Sequence, residues 1–271
     1  MNKPISVCVV TNMFFDEDYI IEWCEHYYNI GFERIYILED LNGRDRKFID
    51  LPYIKNKVNE GKMIIEQIPH QNQWGTYPEF YENHKDEFSW CGIFDSDEFL
   101  VLNKHKNIKE FLDDPLYENA DVITVNWRMF ADNGHLYKTE GTVIERFPNP
   151  TEYKDPAETK ILIKGGLKET VFFIGHCCIA NGNPYRTVFC SGDHYTRMNP
   201  YHKNDYSVAA INHYYTKSTE EFINRKTHGR LDIPEQTARE AFPAFITAYF
   251  NIAEDTPEKR RMFNEAMSKL K

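Results

Sequence analysis

The chain lacks a long hydrophobic run, a cysteine pairing pattern and an excess of basic charge, and each absence closes off a class of function. Its six cysteines, Cys8, Cys24, Cys91, Cys177, Cys178 and Cys190, include no C-x-x-C pair and are too sparse for a secreted disulfide scaffold. They read as reduced thiols, which points to a cytoplasmic location. Zinc is rejected at His176, Cys177 and Cys178, because adjacent cysteines diverge in direction. The opening apolar run "ISVCVV" is too short to span a membrane and precedes no small-residue cleavage site, so it reads as a first strand. A formal net charge of −10 excludes a nucleic-acid partner, whose phosphates would require a Lys/Arg surface. Missing too are internal repeats, low-complexity linkers and a glycine-rich, lysine-bearing phosphate loop after the first strand.

What remains is the composition of a folded protein. The 271 residues are 41% apolar and 15% aromatic, enough to bury a sizeable core in one large α/β domain. "ISVCVVTN" (Ile5 to Asn12) is a continuous apolar, β-branched run, the pattern of a parallel strand buried on both faces. Tyr19, Ile20, Trp23, Tyr27 and Ile30 then recur at helical spacing until Gly31, and "RIYILED" follows as a second strand. The first forty residues therefore form a β-α-β unit with a right-handed crossover. "GKMIIEQIP" predicts a third strand, Tyr77 to Phe88 a helix, and "SWCGIFDSDEFLVL" a fourth strand. "ADVITVNWRMF", "KILIKGG" and "TVFFIG" add further strands, and the chain from Thr219 onward is largely helical. This alternation predicts a Rossmann-like, mostly parallel central sheet flanked by helices, with ligands at the carboxyl ends of its strands.

The fourth strand runs into three carboxylates, Asp95, Asp97 and Glu98. Period two puts Asp95 and Asp97 on one side of an extended chain, where they resist joint ionisation unless a cation sits between them. Hard oxygen ligands suit Mn²⁺ or Mg²⁺, which complete their shells with substrate phosphates and water. Spacing alone leaves a helix cap or a solvated loop open as the alternative. A diphosphate held through such a metal is the chemistry of nucleotide sugars.

Five blocks in order narrow the field: "TNMFFDEDYIIEWCEHYYNIGFERIYILEDLNGRD", "FDSDEFL", "NWRMFADNGH", "VIERF" and "INHYYTKSTEEFINRKTHG". Together they resemble the glycosyltransferase family 92 and family 2-like group (DUF23-like) of GT-A fold enzymes, from about Val9 to Gly229. The resemblance implies a GT-A domain over 1–230, with a nucleotide-sugar half at about 1–102 and an acceptor half at about 103–230, followed by a helical extension over 231–271. It implies transfer of a hexose, galactose first, from a UDP-sugar to a saccharide or glycolipid acceptor, with inversion at the anomeric carbon.

Carried over residue by residue, the resemblance places Thr11 and Asn12 against the nucleotide, and Asp40 near the base or ribose with Asn42 and Asp45 in its turn. Asp95 and Asp97 match the metal motif, Asp95 also facing the nucleotide sugar, while Glu98 orients the loop. His213 supplies a further metal ligand, and Lys217 meets the diphosphate. The sequence departs from the family's "KNE" at Thr11, Asn12 and Met13, which displaces the acidic member to Asp16 or Glu17. An inverting reaction needs a base, for which Asp132 is preferred, with Glu145 and Asp193 as rivals. Trp127 offers a ring to a sugar or to the core. The aromatic C-terminal helices either pack on the domain or use Lys259, Arg260 and Arg261 to touch the inner face of a membrane. Two other classes share the carboxylate pair: a catalytically silent GT-A-like nucleotide or glycan binder, and a metal-dependent nucleotidyltransferase.

Overall fold

The computed structural model describes residues 5–13, 19–40, 50–68, 73–152, 158–168, 170–173, 177–180, 186–193, 204–227 and 235–270. The chain forms two compact units, Met1–Trp127 with Asp155–Ile211, and Arg128–Lys154 with Asn212–Lys271.

In the first unit β1 (Ile5–Met13), α1 (Ile20–Asn29) and β2 (Arg34–Asp40) form the expected β-α-β unit. Val7, Cys8, Val9 and Val10 of β1 are all fully buried, as an apolar run without alternation requires. Helix α1 buries Ile20, Trp23, Cys24 and Tyr27, its helically spaced apolar face, and the chain leaves it through Gly31 at φ +100°. Helix α2 (Pro52–Asn59) leads to β3 (Met63–Ile68), and α3 (Gln73–His84) to β4 (Phe88–Ile93). Helix α3 thus starts four residues before the predicted Tyr77, with Pro78 inside it.

The predicted fourth strand is two strands. After β4 the chain bends through residues 94–97 before β5 (Glu98–Leu102) begins. The bend is fastened by its own polar groups: the Asp95 amide donates to Glu98 Oε2 at 2.9 Å, and the Glu98 amide to the Asp95 carbonyl at 3.0 Å. Gly92 makes room for it, because a Cβ there would lie 2.4 Å from the Phe94 ring.

Beyond α4 (Ile108–Leu112) come β6 (Val122–Met129), α5 (Val143–Arg146) and β7 (Thr159–Lys164). The hairpin β8 (Thr170–Phe173) with β9 (Cys177–Ala180), then β10 (Thr187–Phe189) and β11 (Ala209–His213), follow. Nine of the described strands form one sheet in the order β3-β2-β1-β4-β7-β6-β11-β5, with β10 beside β6, and β8 and β9 pair separately. Strands β3, β2, β1 and β4 are parallel, but β7 runs antiparallel to both β4 and β6. The fold is therefore α/β as expected, and the expected parallel arrangement holds for β3, β2, β1, β4, β6 and β10, with β7 entering between β4 and β6 from the opposite direction to make the sheet mixed. Cys8, Cys24, Cys91 and Cys190 are free and buried, and burial pushes the Cys190 thiol up to about 11.

The second unit has its own apolar centre, where Phe222, Phe242, Tyr249 and Phe263 pack with Ala131, Ile223 and Ala253. These side chains come from the loop after β6, from α6 (Thr219–Thr227), α7 (Glu235–Phe250) and α8 (Pro257–Lys269), and, for Ala253, from the turn between the last two helices. The helical C-terminus read from the sequence is present, and its aromatic face is turned into this core. Helix α8 starts at Pro257 behind the Thr256 cap, whereas Pro243 lies inside α7. No helix among the described residues is long and apolar enough to cross a membrane.

Candidate functional site

The first unit gathers charge where β4 gives out. Asp95 is held on both carboxylate oxygens: Tyr77 Oη donates to Oδ1 at 3.2 Å, and Lys160 Nζ to Oδ2 at 2.7 Å. Tyr77 comes from α3 and Lys160 from β7, so the neighbouring elements fix one carboxylate between them. Tyr77 Oη also accepts the Asn12 amide of β1 at 3.3 Å. Behind the bend, Trp23 Nε1 donates to the carbonyls of Asp95 (3.0 Å) and Glu98 (2.9 Å), and Tyr27 Oη to the Glu98 carbonyl at 3.0 Å. The aromatic face of α1 therefore does more than fill a core: it anchors the acidic loop.

Four ionisable side chains crowd this place. Asp97 and Glu98 are buried at 7% and 0% exposure and offer carboxylate oxygens within 4.8 Å of each other. Lys160, 1% exposed, also lies 3.5 Å from Glu98 Oε1. Burial opposes its charge, but Asp95 and Glu98 outweigh burial and raise its pKa. Burial drives the Glu98 carboxyl well above the usual range, with Lys160 pulling it back. Glu98 Oε1 has no hydrogen bond, and neither does the carboxamide of Asn12, whose Nδ2 and Oδ1 are both buried. Each such orphan costs about 1–3 kcal/mol. Asp95, Asp97 and Glu98 thus bring hard carboxyl oxygens together around one buried ammonium, a donor chemistry that fits a divalent cation of the Mg²⁺ or Mn²⁺ type.

The remaining expected residues of this unit are placed as follows. Thr11 is fully buried in β1, its hydroxyl on the Asn12 carbonyl at 3.4 Å. Asp40 ends β2, paired with Ile68, and its side chain lies outside the description. Asp16, Glu17, Asn42, Asp45 and His176 lie outside the described residues, as do the side chains of Cys177 and Cys178. Trp127 is half-buried, its ring centroid 5.9 Å from Lys160 Nζ. Asp193 is exposed in a turn and accepts from Ser191 Oγ at 3.1 Å.

In the second unit Asp132 is 2% exposed and saturated. Its Oδ2 meets Lys259 Nζ at 2.6 Å and the Tyr249 hydroxyl, and its Oδ1 accepts the Gly134 amide at 3.0 Å. A base at Asp132 would first have to shed Lys259 and Tyr249. Glu145 is exposed and closes a capping box with Thr142, whose amide and hydroxyl both donate to Oε2 (3.1 and 2.8 Å) and lower the carboxyl pKa. His213 is buried at the end of β11, its ring edge-on to Tyr215 and its carbonyl accepting the Phe130 amide at 2.9 Å. Lys217 is 3% exposed, so it is no surface lysine, and it holds the left-handed backbone at φ +53°. Lys259 does not belong to a basic membrane-facing cluster, because it is buried against Asp132, while Arg260 is paired with Asp255.

Sequence reasoning missed Tyr77 and Lys160. The available signal for Lys160 was a lysine inside the apolar strand run "TKILIK", where a buried ammonium needs an acidic partner.

Residues 3–240 match glycosyltransferase family 92. The chain belongs to that family. This family 92 protein is a glycosyltransferase, and its mixed α/β sheet flanked by helices is of the GT-A type. No functionally curated protein matches it. Among solved structures it is similar to S. aureus TarS 1–349, with 12% identity over 98% of this chain and 80% of that one at a TM-score of 0.42. The same protein in complex with UDP-GlcNAc gives 14% identity over the same shares at 0.40. UDP-glucose pyrophosphorylase complexed with UDP-glucose gives 10% identity over 59% and 69% at 0.29.

Proposed function

We propose that this family 92 enzyme is a metal-dependent, inverting hexosyltransferase that takes a sugar, galactose first among candidates, from a UDP-sugar to a saccharide or glycolipid acceptor. The observation that carries the proposal is the Asn12 carboxamide, buried with donor and acceptor both without a hydrogen bond, in a strand whose amide is tied through Tyr77 to Asp95 and so to the hard-oxygen set. A ligand that offers a paired donor and acceptor to Asn12 and a phosphate-bound cation to the carboxylates suits both places at once. A uridine diphosphate has both parts. Mn²⁺ or Mg²⁺, when bound, supplies the charge that stabilises the departing diphosphate.

In this account Asp95 and Asp97 hold the metal, with His213 added on the sequence resemblance alone. Thr11, Asn12 and Asp40 line the nucleotide, and Lys217 faces the diphosphate. Tyr77 holds Asp95 Oδ1 before any ligand arrives, which limits the reorganisation needed during transfer. The trapped loop carbonyls keep Asp97 and Glu98 out of water. For the base, Glu145 Oε1 is left over by a capping box that uses Oε2, whereas Asp132 serves only if its ion pair opens.

The test is release of UDP from a panel of UDP-hexoses with and without Mn²⁺, repeated with Asp97→Ala. The expected result is Mn²⁺-dependent UDP release, fastest with UDP-galactose and lost in the variant. Binding of UDP-sugar without release would show a silent binder, and release of pyrophosphate or sugar phosphate would show a nucleotidyltransferase or hydrolase.

A further inference from the structure

We propose that Lys160 is a built-in cation that competes with a divalent metal ion for Asp95 and steps aside onto Glu98 when the metal arrives. The inference rests on the metal reading of Asp95 and Asp97, and it concerns a residue which that reading does not need.

Three observations in the first unit carry it. Lys160 Nζ occupies Asp95 Oδ2 at 2.7 Å, so the aspartate is already paired with a cation. A hard metal ion on the same carboxylate would face the ammonium at close range in a buried setting, where like charges repel strongly. The second carboxylate is ready: Glu98 Oε1 lies 3.5 Å from Nζ and has no hydrogen bond. A movement of roughly 1 Å would close that gap to a charge-assisted hydrogen bond. The four-carbon stem of a lysine allows such a step, and the Trp127 ring, 5.9 Å from Nζ, stays beside the ammonium as it moves. Lysine 160 thereby lets the acidic loop exist without metal, and it keeps metal binding weak enough to be reversed between turnovers.

The opposite effects of charge and support make this testable. If Lys160 served only to hold the loop, its loss would weaken metal binding. Competition requires a gain. Mn²⁺ affinity is measured without donor by electron paramagnetic resonance and calorimetry for the unchanged chain and for Lys160→Met, Lys160→Gln and Lys160→Arg. The neutral variants are expected to bind Mn²⁺ at least tenfold more tightly, and Lys160→Arg within about threefold of the unchanged chain, because it keeps the charge. Equal or weaker binding by the neutral variants overturns the proposal. If the neutral variants fold only when Mn²⁺ is present, metal replaces the lysine and the proposal stands; if they stay unfolded with Mn²⁺, it fails. Failure of the metal reading looks different: the unchanged chain would bind no Mn²⁺. In that event a neutral variant that does bind it still supports competition, and one that does not refutes both.

Discussion

Two aspartates in this molecule, one half-buried and one buried, are held by the same kinds of neighbour in different surroundings. Asp95 in the first unit is gripped by a lysine and a tyrosine, Lys160 and Tyr77, and Asp132 in the second by Lys259 and Tyr249. Around Asp132 the charges close: one carboxylate, one ammonium, and the remaining oxygen on the Gly134 amide. Around Asp95 two further acids, Asp97 and Glu98, face the same lysine, and Glu98 Oε1 is left without a hydrogen bond. The lesson is that burial and ion pairing do not by themselves mark a site. Buried polar atoms left without a hydrogen bond, as at Glu98 and Asn12, are the stronger pointer.

The contrast can be broken from either side. The largest effect is expected at the open cluster, where Asp97→Asn should lower Mn²⁺-dependent UDP release by about 10²-fold or more while leaving the urea midpoint nearly unchanged. The closed pair should behave in reverse. Lys259→Met leaves a buried carboxylate unpaired and is expected to cost about 3–5 kcal/mol by urea unfolding. The Asp132→Asn, Lys259→Met double variant should recover a large part of that loss, since both charges go together. A double variant that folds but no longer transfers sugar would give Asp132 a part in the chemistry.

A smaller effect tests how tightly α1 backs the acidic loop. His26 is half-buried beside Phe99 and bonded to the Leu100 carbonyl at 2.8 Å, and desolvation lowers its pKa from 6.5. A histidine with a depressed folded pKa contributes fully above 6.5 and loses that contribution as pH falls through the folded value. Stability measured by urea from pH 8 to 5 should therefore fall below about pH 6.5, and His26→Gln should flatten that part of the curve. The smallest effect is expected at the capping box, where Thr142→Ala should cost about 1 kcal/mol.

The same contrast explains what could be read in the sequence. The β-α-β start was legible because apolar periodicity is local, and β2 occupies the stretch "RIYILED". Asp95 and Asp97 stood out as acids within an apolar run. The bend between β4 and β5 was not legible, since Ile93, Phe94, Phe99 and Leu100 continue the same hydrophobic pattern across it. Nor was the reversal of β7, a matter of which strand pairs with which. The partners of the two aspartates escaped for a shared reason: Lys160 is 65 positions from Asp95, and Tyr249 is 117 from Asp132. Lys259, beside Arg260 and Arg261 in the chain, looked like part of a surface patch, and only folding turns it inward.

The central claim is that the Asp95–Glu98 cluster is open to a divalent cation and the Asp132 pair is closed. Its most direct test is the shift in melting temperature on adding Mn²⁺. At a hundredfold excess over the dissociation constant, binding to the folded chain alone adds about 2.7 kcal/mol. The account expects a clear upward shift for the unchanged chain and for any folded Asp132→Asn variant, and none for Asp97→Asn. An equal shift in the Asp97 variant, or its loss in the Asp132 variant alone, would contradict it.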